Sequence, residues 1–176
     1  QVARCLGAAG SEVTVFTRRD QLGLPASVRM CKGVRVVHVD AGPRRFVPKE
    51  MLLAHMPAFT RGVTDELARM GGCDVVHANF FMSGLVAQHV KEKLGIPYVV
   101  TFHALGLVRR AHQGTTDAFP DSRIEIEHMP CRVLRLIQAL GTCLRHRVPP
   151  SRVAPVRSHC LSLFRPIGHL QMPILS

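Results

Sequence analysis

Apolar and polar positions follow two periods along the first 127 residues, and each change of period marks an element. Alternation or short apolar runs at EVTVFT (12–17), GVRVVHVD (33–40), CDVVHA (73–78) and PYVVTF (97–102) predict four β-strands. Three-to-four spacing predicts helices between them. The first covers residues 2–9 and stops at Gly10, so the sequence opens inside a helix. The second starts at Pro48, a residue suited to a first helical turn, and carries Leu52, Leu53, Met56, Phe59, Val63 and Leu67 on one stripe as far as Met70. Gly71 and Gly72 end it. A third helix runs from an N-cap at Ser83 to Leu94, with Gly95 as its stop. Residues 18–32, broken by Gly23 and Pro25, read as loop, and AGPRRF (41–46) as a turn.

Strands alternating with helices of this length predict α/β architecture with a mostly parallel, doubly wound sheet. In the usual Rossmann-like order the strand before the first helix is central, and no such strand precedes residue 2. The expectation is an incomplete sheet with two facing unpaired edges, an internal slice of a longer parent and a marginally stable fold.

Composition divides the chain in two. Residues 1–127 hold 16 Lys and Arg and all 12 acidic residues, whereas residues 128–176 hold seven Arg, no acid and half of the 12 prolines. The net charge of +11 is therefore mostly a property of the tail. A wet helix normally mixes both signs, so 1–127 is read as the folded domain and 128–176 as an atypical segment, either poorly ordered or the product of a shifted reading frame. A basic module that binds nucleic acid is the non-enzymatic alternative. With few aromatics for base stacking in that tail, specific recognition is not expected.

Six cysteines without a visible secretion signal predict reduced thiols and a cytoplasmic setting, with Cys5, Cys31 and Cys73 as small buried groups. No run approaches the ~20 apolar residues of a transmembrane helix. His128, Cys131, Cys143 and His146 have a spacing zinc could accept, but scattered residues in an Arg-rich segment are the simpler reading, and no metal is assigned.

The chemistry concentrates between Asp74 and Glu127. Two apolar strands lead to His77 and His103, each followed by a small-residue turn, and polar groups at the carboxyl ends of parallel strands face a common crevice. His103 is read with equal weight as a reacting-site imidazole and as a capping or core histidine. His77 is a crevice-wall candidate with Asn79 and Ser83 beside it, while Phe80, Phe81 and Met82 read as packing. Lys49 and Arg123 stand at helix starts, where an anionic group would be favoured. The pairs Arg18 and Arg19, Arg44 and Arg45, and Arg109 and Arg110 read as solvated loop charge. Glu125 and Glu127 could accept hydrogen bonds from sugar hydroxyls or serve as helix N-terminal charges.

In the order SEVTVFTRR, GVRVVHVDAGP, PKE, DVVHANFFMSG, GIPYVVTFHALG, VRR and FPDSRIEIE, the chain resembles the N-terminal, acceptor-side domain of family 4 retaining glycosyltransferases with GT-B architecture, near the sucrose-phosphate synthase and inositol-phosphate branch. The resemblance implies hexose transfer from a nucleotide sugar (UDP-, GDP- or ADP-linked) to a hydroxyl of a sugar or sugar-phosphate acceptor. It implies that His103 lines the donor–acceptor junction, that His77 and Asn79 contact the acceptor and that Lys49 and Arg123 hold its phosphate. In the inositol-phosphate enzymes a tyrosine and a threonine share that last task. The matching positions here, Phe80 and Ala104, offer no hydroxyl, which leaves the acceptor open. The donor-binding C-terminal domain lies outside the sequence, so no cofactor site is expected within it and turnover by this chain alone is not expected. A dehydrogenase domain is the enzymatic alternative, but it lacks G-x-G-x-x-G between a strand and a helix.

Overall fold

The computed structural model describes residues 1–103, 105–116, 118–119, 122–128 and 158–161. Helix α1 (Val2–Ala8) leads into strand β1 (Val13–Arg18); β2 (Ser27–Cys31) and β3 (Val34–Val39) follow. A 3₁₀ segment (Lys49–His55) runs into α2 (Met56–Arg69), followed by β4 (Val75–Asn79), α3 (Phe80–Leu94), β5 (Tyr98–Thr101) and α4 (Gly106–Gln113). A helical run over 122–128 and strand β6 (Ser158–Leu161) complete the set.

The strands form one sheet in the order β2-β3-β1-β6-β4-β5. β2 is antiparallel to β3, and the other neighbours are parallel. The fold is α/β and doubly wound, as the periodicity predicts. Both faces of β1 show why: Val13 and Val15 meet Ala3 and Leu6 of α1, while Phe16 joins the main core under α2 and α3. That core takes Met56, Phe59, Val63 and Leu67 from α2 and Phe81, Met82, Val86, Ala87 and Val90 from α3, packed on Val37, Val39, Val76 and Ala78.

Several expectations are corrected. Residues 18–32 are not all loop, because 27–31 form the antiparallel edge strand β2, with Ser27, Val28, Arg29 and Met30 exposed. The helix expected from Pro48 begins as a 3₁₀ turn and becomes α-helical only at Met56, since Pro57 cannot donate a backbone hydrogen bond. Helix α3 starts at Phe80 with Asn79 as its N-cap; Ser83 is buried inside it and donates its hydroxyl to the Asn79 carbonyl. Gly95 ends α3 in the left-handed region at φ 73°, where a glycine carries no Cβ penalty. Of the three thiols expected to be buried, Cys5 is exposed and Cys31 and Cys73 are half-buried. Burial and the charge of Asp74 nevertheless push the Cys73 thiol up to about 11, so it stays protonated at neutral pH.

The gap expected in the sheet is filled. β6 lies between β1 and β4, with four register partners on β4 (Val75↔Ser158 to Ala78↔Leu161) and one on β1 (Val15↔Cys160). Most of the 128–176 segment, including Cys131, Cys143 and His146, lies outside the described residues, as does Ala104. Among the described residues, no three His, Cys, Asp or Glu side chains cluster to hold a metal, and no helix is long and apolar enough to cross a membrane.

Candidate active site

The carboxyl ends of β4 and β5 place four polar side chains together. The strands are parallel with Asn79 opposite Thr101, so residues at alternate positions share a face. His77 Nε2 lies 2.8 Å from Thr101 Oγ1, and His103 Nε2 lies 2.9 Å from Asn79 Oδ1. Both contacts reach from β4 to the residue two beyond the direct partner, so one diagonal step is repeated one pleat apart. Burial, and then the charge of His103, hold the His77 pKa below its ordinary 6.5, favouring the neutral ring at neutral pH.

The backbone turns sharply at both tips. Phe80 has φ 73° and His103 φ 59°, and they are the non-glycine residues in the left-handed region among those described. That conformation costs roughly 1–2 kcal/mol for a residue with a Cβ, so packing and hydrogen bonds must hold it. At Phe80 the holding group is an aromatic cluster: Phe80 and Phe81 rings stand 4.8 Å apart, and Phe119 lies 5.9 and 6.0 Å from them.

Arg123 is set into that cluster. Its guanidinium carbon lies 4.6 Å from the Phe119 ring centre, 4.9 Å from Phe80 and 5.2 Å from Phe81, and the residue is 1% exposed. Arg123 Nε donates to Glu127 Oε1 at 2.7 Å. The other carboxylate oxygen of Glu127 accepts the first backbone N–H of α4, from Gly106, at 2.6 Å. Glu127 therefore serves as a helix N-terminal charge for α4, the second of the two roles open to it in the sequence, while Glu125 is exposed. Gly106 has no side chain because one would not fit easily: a Cβ there would stand 3.2 Å from Glu127 Oε2 and 3.3 Å from Arg123 Nε.

Two more cations share the Phe119 ring. Lys49 Nζ lies 5.6 Å from its centre and the Arg109 guanidinium 5.0 Å. Lys49 opens the 3₁₀ segment, is about half exposed and pairs with Glu50 at 3.8 Å. Two groups of sequence-predicted residues are thus assembled: His77, Asn79 and His103 at the strand tips, and Lys49 and Arg123 around one aromatic ring. Phe80 touches both, since it follows Asn79 directly and stacks on Arg123. Sequence reasoning missed Thr101 and Phe119. Thr101 precedes His103 by two positions, which is the strand's own period, and Phe119 stands four residues before Arg123.

The arginine pairs divide. Arg18, read as solvated loop charge, is buried and donates to the Pro43 and Arg45 carbonyls; it ties the loop after β3 to the end of β1. Arg19 and Arg44 both pair with Asp40, and Arg109 is half-buried against Phe119.

The family is shown by similarity to known proteins. The glycosyl transferase 4-like domain matches residues 1–126. The chain belongs to that family. A D-inositol 3-phosphate glycosyltransferase of Streptomyces scabiei is 36% identical over 176 residues, covering 94% of this chain and 40% of that protein. A protein of the same description from Frankia alni is 40% identical over 111 residues, covering 62% of this chain and 27% of its own length. Sucrose-phosphate synthase from Thermosynechococcus elongatus shares the fold, with TM-score 0.66 and 20% identity over 92% of this chain and 41% of the synthase. The chain thus corresponds to one half of a GT-B glycosyltransferase fold and spans about 40% of the length of the two longest-matching of these proteins.

Proposed function

We propose that this chain forms the acceptor-side half of a retaining glycosyltransferase that moves a hexose from a nucleotide sugar to a hydroxyl of a phosphorylated polyol or sugar. The observation that carries the reading is the adjacency of two groups: hydrogen-bonding side chains at the β4 and β5 tips, and cations around Phe119. In this reading His103 lines the junction of donor sugar and acceptor, and His77 and Asn79 contact acceptor hydroxyls. Lys49, the exposed cation, meets the acceptor phosphate directly. Arg123, caged by three rings and paired to Glu127, supports the site by holding Phe80 and Phe119 in place. The names of the relatives support an inositol phosphate as the acceptor class. Phe80, without a hydroxyl, leaves phosphate recognition to cations and backbone on that side.

Transfer requires donor and acceptor held in one preorganised cleft, so the donor nucleotide is assigned to a second domain. Calorimetric titration of the 176-residue chain with inositol phosphate and with unphosphorylated inositol tests this. The phosphate form is expected to bind more tightly, and Lys49→Ala to remove about 1.4 kcal/mol, a tenfold loss. Equal binding of both forms would overturn the phosphate assignment. Sugar transfer from a nucleotide sugar by this chain alone would overturn the need for a second domain.

A further inference from the structure

We infer that Asn79 is a positioning residue that fixes His103 as the Nε2–H tautomer, so that the histidine presents Nδ1 as a hydrogen-bond acceptor. Three observations support this. The Asn79 side-chain oxygen lies 2.9 Å from His103 Nε2, and an amide oxygen can only accept, so the proton sits on Nε2. In a neutral imidazole the other nitrogen then carries the lone pair. His103 also occupies the left-handed region at φ 59°, just past the end of β5, and the strand ladder does not hold it there. The Asn79 contact is the side-chain tie that reaches it from the neighbouring strand. Finally, Asn79 is itself fixed: it closes β4, caps α3 and receives the Ser83 hydroxyl on its carbonyl.

The arrangement repeats one pleat back, where His77 meets Thr101, but a hydroxyl can donate or accept and sets no tautomer. The two histidines therefore differ in kind. For the transfer proposed above, on which the consequence rests, His103 would orient a sugar hydroxyl by accepting its proton in a hydrogen bond. The tautomer itself does not depend on that reading.

Imidazole nitrogen NMR on the full chain tests the inference without substrate. The expected spectrum shows His103 predominantly as Nε2–H. Asn79→Leu, which keeps the bulk and removes the acceptor, is expected to give comparable populations of both tautomers, while His77 and the methyl spectrum of the core stay unchanged. A predominantly Nδ1–H His103 in the parent chain, or an unaltered ratio in a folded Asn79→Leu variant, would overturn it. Asn79→Asp gives a second measure should the leucine variant not fold. Its carboxylate keeps an acceptor in the same place, so the neutral His103 ring is expected to stay predominantly Nε2–H. Comparable populations of both tautomers in that variant would overturn the inference. Failure of inositol phosphate to bind, with the tautomer as expected, would count against the proposed function alone.

Discussion

The carboxyl ends of β1 and β3 and those of β4 and β5 lie along the same edge of one sheet, and both carry polar residues. At β1 and β3 these residues are charged and spent on the fold. Arg18 is buried on two loop carbonyls, and Asp40 binds Arg19 and Arg44. At β4 and β5 they are uncharged or titratable groups that hydrogen-bond one another, with Thr101 and His103 exposed. Position at a strand tip therefore does not by itself identify a site. What separates the halves is whether the partners are backbone carbonyls and counter-ions or other side chains open to solvent.

The cluster beneath the β4 side gives the largest test of this contrast. Glu127→Ala leaves Arg123 buried without its carboxylate and exposes the first N–H of α4, and is expected to cost about 3–5 kcal/mol in denaturant unfolding. A loss below about 1 kcal/mol would mean that the pair is not buried as described. On the other half, Arg18→Met is expected to cost roughly 1–3 kcal/mol by freeing two carbonyls, with inositol-phosphate affinity unchanged. A parallel loss of affinity would erase the distinction between the halves.

A pH series sharpens the contrast further. Because the folded pKa of His77 lies below 6.5, the unfolded chain binds the proton more readily. Its contribution to stability is complete above about pH 6.5 and is lost as pH falls from there through the lowered folded value. His77→Gln is expected to flatten the unfolding free energy across that window; an unchanged slope would reject the assignment. The smallest effect belongs to Asp40. Hydrogen bonds from Arg44, and more weakly the pull of Arg19, hold its carboxyl below 3.8, so its contribution is present above that pH and lost below it. The site is exposed, and Asp40→Asn at neutral pH is expected to change stability by no more than ~1 kcal/mol, with the difference vanishing in strong acid.

Much of the sheet was legible because its strands are half or wholly buried and their sequences obey the period that burial imposes. VTVFT, VRVVHV and VVHA are such cases. β2 was not, since an exposed edge strand places no apolar stripe against the core. β6 was not, because four residues within an Arg- and Pro-rich tail carry too little pattern to register. At the site, His77, Asn79 and His103 were legible from their place after apolar runs. The burial of Arg18 was not, because it depends on carbonyls 25 and 27 residues away that only the turn at 41–46 brings near. Glu127 was legible as a helix-capping charge, but which helix it caps was fixed by packing alone.

The seat of β6 has a consequence for how the sheet assembles. Its neighbours on either side come from residues 13–18 and 75–79, so the middle of the sheet joins segments far apart in the sequence. Contacts of such long sequence separation form slowly. Pairing at this seam is therefore expected among the later steps of folding, after the local hairpin of β2 and β3 and the β4–α3–β5 unit have formed.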